Sequence, residues 1–382
     1  MLTYERAAVI VDHKQLTKNI RRIQEVIGEN VRLMAVVKAN AYGHGLVEVA
    51  RTAIIAGAQE LGVATIEEGV ELRERGIVAP ILMLSPIFPQ EAGIGIDFGI
   101  MMTAYNMEMA KYLSAAAGAR GKTVNIQIII ETGMNRLGFS PGLDGISDIL
   151  ETAHLPNLHI SGIFSHLATA GADCPAFSNE QFARFLHTIE LLEKSGLHIP
   201  LRHIANSGGV LNRDPAFRMG MVRPGAAMYG IAPEATVAGG KRMAKRGLAP
   251  AMSVVSRVAH IRKIGAGESV GYARSYIAGG DVLVATIPVG YADGIPRGCG
   301  NRGMVLINGA FAPIIGNICM DNLMVDAGAI PNLAIGDEVV FCGKSGDEQI
   351  LPEEMGDWQG SVNYEAVTAI SRRIKRLHIN MP

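Results

Sequence analysis

Lys38 ends an apolar run over residues 32–37 and is followed at once by Ala39-Asn40-Ala41-Tyr42-Gly43-His44-Gly45, so an amine stands where a buried strand gives way to a glycine-punctuated turn. The apolar strand can lower the amine's pKa by desolvation, and the turn leaves room for a carbonyl compound and its phosphate. Those are the needs of a Schiff-base lysine. A lysine alone at a strand end is more often a snorkelling surface residue. Here other chemically distinctive residues follow apolar runs in the same way. Glu131 and Arg136 follow residues 124–130, His166 follows 158–164, Asn206 and Ser207 follow 201–205, and Arg223 with Gly225 closes 220–223.

The elements that must position these residues can be read from periodicity. Short apolar runs at 32–37, 61–64, 81–84, 99–102, 124–130, 158–164, 201–205 and 220–223 alternate with stretches at 45–59, 66–76, 106–117 and 179–196 whose apolar residues recur at three and four positions. Strands alternating with helices in this number predict an α/β fold, a (β/α)8 TIM-type barrel. A doubly wound sheet would want a Gly-rich turn after its first strand, where this chain has Lys38. Beyond residue 240 the pattern becomes period-two runs (253–264, 281–288, 303–307, 312–315, 338–342) separated by Gly, Asn and Asp turns, which predicts a mainly β C-terminal domain. The expected organisation is a barrel over 1–240, whose first residues can join the β domain, and a β domain over 241–382. The basic stretch 240–247 is expected at the solvated junction.

In a barrel, residues at strand C-termini surround one mouth without being close in sequence. Ser207-Gly208-Gly209 after the seventh strand and Arg223-Pro224-Gly225-Ala226 after the eighth lie in the loops where barrels commonly bind phosphate. With a Schiff-base lysine across the mouth, pyridoxal 5'-phosphate is the natural ligand, its phosphate on Ser207 and the Gly225 and Ala226 amides.

Composition removes other classes. The 35 basic and 36 acidic residues leave a net charge of −1, no field for gathering nucleic acid or an anionic membrane. Cys174, Cys299, Cys319 and Cys342 have neither CxxC spacing nor His partners at ligand distance, so neither a disulfide framework nor a metal site is expected. No segment reaches the roughly 18 uninterrupted apolar residues of a membrane span, and residues 1–12 lack a signal layout. The expectation is a cytoplasmic protein acting on a small molecule.

The block Val36-Val37-Lys38-Ala39-Asn40-Ala41-Tyr42-Gly43-His44-Gly45 closely resembles the cofactor-lysine signature of alanine racemases. Glu131-Thr132-Gly133-Met134-Asn135-Arg136, Ser165-His166-Leu167-Ala168, His203-Ile204-Ala205-Asn206-Ser207, Met221-Val222-Arg223-Pro224-Gly225, Val270-Gly271-Tyr272, Val289-Gly290-Tyr291-Ala292-Asp293-Gly294, Ile318-Cys319-Met320-Asp321 and Asn363-Tyr364-Glu365 are similar to that family's motifs in its order, over nearly the whole chain. The resemblance implies a homodimer with shared active sites that interconverts L- and D-alanine for peptidoglycan. Lys38 would hold the cofactor and act as one base, and Tyr272 from the partner subunit would be the other. Arg223 would face the pyridine nitrogen, with His166 and Asn206 also on the cofactor side. Arg136 would contact the cofactor phenolate oxygen and, with the Met320 amide, the substrate carboxylate. Tyr42 and Tyr364 would complete the phosphate site and Tyr291 would narrow the entrance.

The chain departs from the family pattern at Ile129, where a carbamylated lysine is usual, and at Glu131, where aspartate is usual. Arg136 would then depend on a bound anion such as chloride, or on a neighbouring polar group such as Gln127, which shares the alternating face of that strand with Ile129. Three alternatives remain open: a serine or broad-specificity racemase, a non-catalytic pyridoxal phosphate-binding protein, and a pyridoxal phosphate decarboxylase, which would place a carboxylate at the pyridine nitrogen.

Overall fold

The computed structural model describes residues 6–172 and 174–382, so the reading of residues 1–5 lies outside the described residues. The chain forms two compact units. One consists of Ile20–Ala41 and Leu46–Met228; the other takes the described residues up to Asn19, Tyr42–Gly45 and Tyr229–Pro382. The first strand, β1 (Ala7–Asp12), belongs to the second unit.

The first unit is a barrel of parallel strands β2 (Arg32–Val36), β3 (Glu60–Val63), β4 (Ile81–Met83), β5 (Met102–Ala104), β6 (Val124–Ile129), β7 (Leu158–Phe164), β8 (Leu201–His203) and β9 (Met221–Val222). They pair in the orders β4-β3-β2-β9 and β5-β6-β7-β8, and single parallel bridges at Leu82↔Met101 and Asn206↔Arg223 close the ring. Met34, Leu82, Ile129, Phe164 and Met221, from alternate positions of different strands, fill one layer of the interior. The connecting helices are cut by ordinary local chemistry: Thr65 accepts from Glu68 N–H to start Ile66–Glu74, and Asn106 accepts from Met109 N–H to start Met107–Gly118. The fourth strand lies later than the expected 99–102, because Gly99 (φ 61°) ends the preceding helical segment and Met101 makes only an isolated bridge.

The second unit is built on a ten-stranded sheet. After β1 it contains β10 (Met252–Arg257), β11 (His260–Ile264), the two-residue strands β12 (Ser269–Val270) and β13 (Tyr276–Ile277), β14 (Val282–Ile287), β15 (Met304–Ile307), β16 (Ala310–Ile315), β17 (Leu323–Asp326), β18 (Glu338–Ser345), β19 (Glu348–Ile350) and β20 (Lys375–Ile379). The sheet order is β11-β14-β17-β16-β15-β18-β10-β1-β20, with β19 on β18 and β12-β13 as a separate hairpin. The expected run 253–264 is two strands, since β10 pairs with β1 and β18 whereas β11 pairs with β14.

The changeover between units falls at Met228/Tyr229, earlier than the 240/241 junction. The basic stretch 240–247 is helical up to Lys245, as the end of Val237–Lys245; Lys241 and Lys245 are exposed, while Gly240 packs in the β unit, where a Cβ would stand 2.9 Å from Glu353 Oε2. Among the described residues no helix is long and apolar enough to cross a membrane.

Candidate active site

Lys38 leaves the end of β2, and the next residues turn left-handed: Ala39, Asn40, Ala41 and Tyr42 have φ of 54°, 53°, 53° and 52°. Each such non-glycine residue costs roughly 1–2 kcal/mol, so the turn needs support. Glu68 supplies it. Its Oε1 accepts from Ala39 N–H (2.6 Å) and Asn40 N–H (3.3 Å), and its Oε2 from Ala64 N–H (2.9 Å). Hydrogen bonds to a charged group contribute about 1.5–3 kcal/mol each, enough to offset much of the strain. Asn40 Oδ1 also accepts from Leu46 N–H (2.9 Å), fixing the start of the following helix. Burial, then the Arg136 charge, lowers the Lys38 pKa, which makes the ammonium easier to deprotonate than an exposed one.

Arg223, at the end of β9, is 3% exposed and lies over the Phe164 ring. Its Nη2 donates to Ser165 O (2.7 Å), Ile204 O (3.3 Å) and His166 Nδ1 (3.3 Å), and its Nη1 donates to His203 Nδ1 (2.6 Å). A guanidinium only donates, so both imidazoles accept on Nδ1. His203 Nε2 therefore donates to Gln127 Oε1 (2.7 Å), giving the buried chain Arg223–His203–Gln127. Gly162 faces Gln127 across the β6/β7 ladder, and a Cβ there would come within 3.0 Å of the Gln127 side chain. Burial first, then Arg223, holds both His166 and His203 well below the usual histidine range, so both are neutral at pH 7. Burial and Arg136 pull Arg223 down to about 9, still protonated at neutral pH.

The two expected phosphate loops meet. Ser207 Oγ accepts from Gly225 N–H and Ala227 N–H, both at 3.1 Å. Gly225 N–H, expected to face a phosphate, is thus engaged by the serine, while the serine keeps its own hydrogen for donation. Asn206 acts locally, its Oδ1 accepting from Gly209 N–H (3.0 Å) as the cap of Ser207–Asn212 and its Nδ2 donating to Leu167 O.

Glu131 closes its own loop, accepting from Gly133 N–H and Arg136 N–H. Burial alone would raise its pKa, but these backbone donors outweigh it and hold the carboxyl low. The Arg136 side chain is exposed and no carboxylate pairs with it among the described residues. Gln127 is not its partner, being buried and turned to His203. Ile129 is 3% exposed in the barrel core, and with Arg136 and His166 it lines a cavity of about 10 Å³, room for one water-sized guest at most.

In the β unit, the Tyr42 ring packs against Tyr229 with centroids 4.9 Å apart and planes tilted by 32°, and Tyr364 donates its hydroxyl to Pro233 O (2.8 Å), so in this structure that proton is not offered to the expected phosphate. Burial pushes both phenols up to about 12 and keeps them protonated. Tyr272 is 70% exposed, on the turn joining β12 to β13, where Gly271, Ala273 and Arg274 all have positive φ and Asn317 Nδ2 donates to Tyr272 O (2.9 Å). A Cβ at Gly271 would meet Asn317 N at 3.1 Å, so glycine is required there on two counts. Met320 and Tyr291 are also exposed, and Ala292 N–H donates to Met320 O (3.0 Å).

The barrel thus brings Lys38, His166, Arg223, Ser207 and the Arg136 loop to strand C-termini, as expected. Sequence reasoning passed over Glu68 and His203 as working residues. Thr65-Ile66-Glu67-Glu68 reads as a capping box, in which the glutamate returns to the cap; here the carboxylate reaches instead to Ala64 and the lysine turn.

Family models match twice: "Alanine racemase, N-terminal domain" over residues 11–233 and "Alanine racemase, C-terminal domain" over residues 251–378. The chain is 37% identical over 369 residues to an alanine racemase of Desulforamulus reducens, covering 97% of this chain and 98% of the relative. It is similar to the crystal structure of alanine racemase from D-cycloserine-producing Streptomyces lavendulae (TM-score 0.92, 34% identity, 99% and 98% of the two chains). It is also similar to the alanine racemase of Bartonella henselae with covalently bound pyridoxal phosphate (TM-score 0.87, 28% identity, 98% and 100%).

Proposed function

The chain belongs to the alanine racemase family, and from that premise we propose that Lys38 and Tyr272 of the partner subunit are the two bases that exchange the Cα proton of alanine. The protein is a pyridoxal phosphate-dependent isomerase that interconverts L- and D-alanine. The finer reading is a cytoplasmic homodimer with shared sites that supplies D-alanine for peptidoglycan.

The donor set fits the cofactor. Ser207 retains a hydrogen to give a phosphate, the Ala226 N–H takes no part in the Ser207 pairing, Tyr42 stays protonated, and Lys38 is a half-buried amine. Ser207, Ala226 and Tyr42 would hold the phosphate, with Tyr364 beside Tyr42. Lys38 would hold the carbonyl carbon and Arg223 the pyridine nitrogen. Bound pyridoxal phosphate supplies an electron sink that acidifies Cα–H.

The rest is done by the protein's own groups. The lowered pKa leaves Lys38 able to accept a proton, and the Tyr272 hydroxyl returns one from the opposite face, as inversion requires. Neutral His166, accepting from Arg223 on Nδ1, keeps an Nε2–H to stabilise a tyrosinate. Arg223 keeps its proton at neutral pH and offers only a hydrogen bond, so that a pyridine nitrogen facing it would stay unprotonated and side reactions would be held down. Arg136 and the Met320 amide take the carboxylate, and Tyr291 limits the entrance.

The observation that carries this reading is Arg223, a buried cation whose four partners all accept and which leaves no carboxylate for the pyridine nitrogen; this disfavours the decarboxylase alternative. A chiral product assay over a panel of L-amino acids tests it. Formation of D-alanine well ahead of D-serine is expected, and equal or faster turnover of serine would replace alanine specificity with a broader one.

A further inference from the structure

The opposite end of the barrel holds a second pocket. Its volume is about 400 Å³, and it is lined by Arg32, Glu60, Pro80, Met101, Gln127, Ser161, Pro200 and Leu201. Arg32, Glu60 and Leu201 are the first residues of β2, β3 and β8, and Pro80 and Met101 immediately precede β4 and β5. The pocket therefore opens at strand N-termini, whereas Lys38, His166 and Arg223 stand at strand C-termini. A barrel interior is ordinarily filled by layers of branched apolar side chains. Here the layer below Met34, Ile129 and Phe164 is polar and incompletely filled.

Two of its residues carry an unmet need. Glu60 is 2% exposed and Gln127 is 0% exposed; Glu60 Oε2 and Gln127 Nε2 are buried with no hydrogen-bond partner among the described residues. Leaving such atoms unpaired is costly, and two of them lining one pocket call for a partner that the protein does not itself supply. The needs are opposite in kind. Gln127 Nε2 is a donor, since its Oε1 is fixed as acceptor by His203. Glu60 Oε2 is an acceptor by geometry, because Oε1 takes Arg32 Nη2 at 2.6 Å; burial raises the carboxyl's pKa and Arg32 only partly offsets this, so a ligand ammonium at Oε2 would supply the second cation that the buried carboxylate needs. Arg32 uses one nitrogen on Glu60 and is half exposed, leaving further N–H groups for a ligand. The lining is neutral in sum, one cation and one anion, with apolar walls from Pro80, Met101, Pro200 and Leu201.

We propose that this pocket binds a small zwitterionic amino acid with an aliphatic side chain, its carboxylate on Arg32 and Gln127 Nε2 and its ammonium on Glu60 Oε2, and that occupancy is transmitted through His203 to Arg223. The transmission needs no motion of the backbone. Gln127 holds His203 by its amide oxygen and would hold the ligand by its amide nitrogen, so one side chain joins the pocket to the buried chain that ends at Arg223. Arg32 also bears on His203 electrostatically, being one of the charges that disfavour its protonation. Any effect of the ligand on Arg223 must be returned as an effect of the occupied catalytic site on ligand affinity. The proposal does not depend on which amino acid the catalytic site turns over.

The test uses the holoenzyme with L-leucine as probe. Calorimetric titration should show saturable binding of one leucine per chain that alanine does not displace, with the His203 ring 15N resonances shifted and, because Arg223 is the end of the chain, the absorption of the bound cofactor shifted with them. Glu60→Gln removes the acceptor charge and lies outside the catalytic machinery; it should weaken leucine binding about tenfold to a hundredfold, the loss expected for one charge-assisted hydrogen bond, and leave alanine turnover without leucine unchanged. No saturable binding to the wild-type protein would mean that water alone fills the pocket and would overturn the proposal. Binding that competes with alanine or survives Glu60→Gln at full strength would put leucine in the catalytic mouth and overturn it equally, and binding that moves neither the His203 resonances nor the cofactor absorption would overturn the transmission. Because affinity is read directly, an inactive enzyme that binds leucine would count against the racemase assignment and not against the pocket.

Discussion

The mouth of the barrel and the tyrosine turns of the β unit solve different problems. At the mouth, Arg223 is 3% exposed with every bond directed at a named acceptor, and the Lys38 turn is held by the Glu68 carboxylate. In the β unit, Tyr272 is 70% exposed and Met320 52%, with Ile277 close by in sequence at 59%. Groups that act on a Cα proton need shelter from water, because their electrostatic work weakens steeply in high dielectric. The barrel therefore preorganises its share of the chemistry within one fold, whereas the β unit displays its share on a surface that something else must cover. On the proposed reading, that cover is a second copy of the chain, bringing its own Tyr272.

The largest expected effect lies on the barrel side. Lys38→Ala should abolish racemisation and the absorption of lysine-bound cofactor together, since no other amine follows a barrel strand in these motifs. An intact absorption band in that variant would move the attachment point elsewhere. Tyr272→Phe should separate the two regions: racemisation falls roughly 10²–10⁴-fold in both directions, as for loss of a positioned acid–base group, while cofactor affinity stays near that of the wild-type protein. Loss of cofactor from Tyr272→Phe would make the exposed turn an anchor.

A smaller effect tests how far the barrel side depends on its buried chain. His203→Leu leaves Arg223 Nη1 and Gln127 Oε1 without partners, at about 1–3 kcal/mol for each, readable as a lower urea midpoint. The same histidine gives a pH signature. Its folded pKa lies well below the ordinary 6.5, so as pH falls below 6.5 the unfolded chain takes up a proton that the folded chain refuses, and stability drops by ~1.4 kcal/mol per pH unit. That increment should be absent from His203→Leu, and an unchanged acid slope would mean that His203 is protonated when folded. The smallest effect is a null one. With Ile129 buried where a carbamylated lysine is usual, removal of carbon dioxide and return of bicarbonate should leave wild-type activity unchanged, and recovery with bicarbonate would reveal a substitute lysine.

Much of this was legible in the sequence because chemistry and periodicity coincide. The apolar runs mark the barrel strands, and the reactive residues sit where the runs stop. The last barrel strand, Met221–Val222, falls inside the expected run 220–223, but it is only two residues long and its pairing with β2 could not be read locally. Glu68 was hidden because a glutamate in the first turn of a helix is ordinary, and only the left-handed turn across from it gives it work. Gln127 was legible as an inward-facing polar residue of β6, but its partner was not, since His203 is brought to it by pairing through β7. Tyr364 resembles a phosphate ligand by motif, yet its hydroxyl hydrogen goes to Pro233, a carbonyl far away in sequence.

The contrast between a self-sufficient mouth and a displayed tyrosine is tested most directly by mixing. Inactive Lys38→Ala and Tyr272→Phe chains, unfolded together and refolded or exchanged to heterodimers, should regain part of the wild-type alanine racemisation, because one of the two sites then has both an intact Lys38 and an intact partner Tyr272. Demonstrated heterodimers with no recovered activity would contradict this and place both bases in one chain.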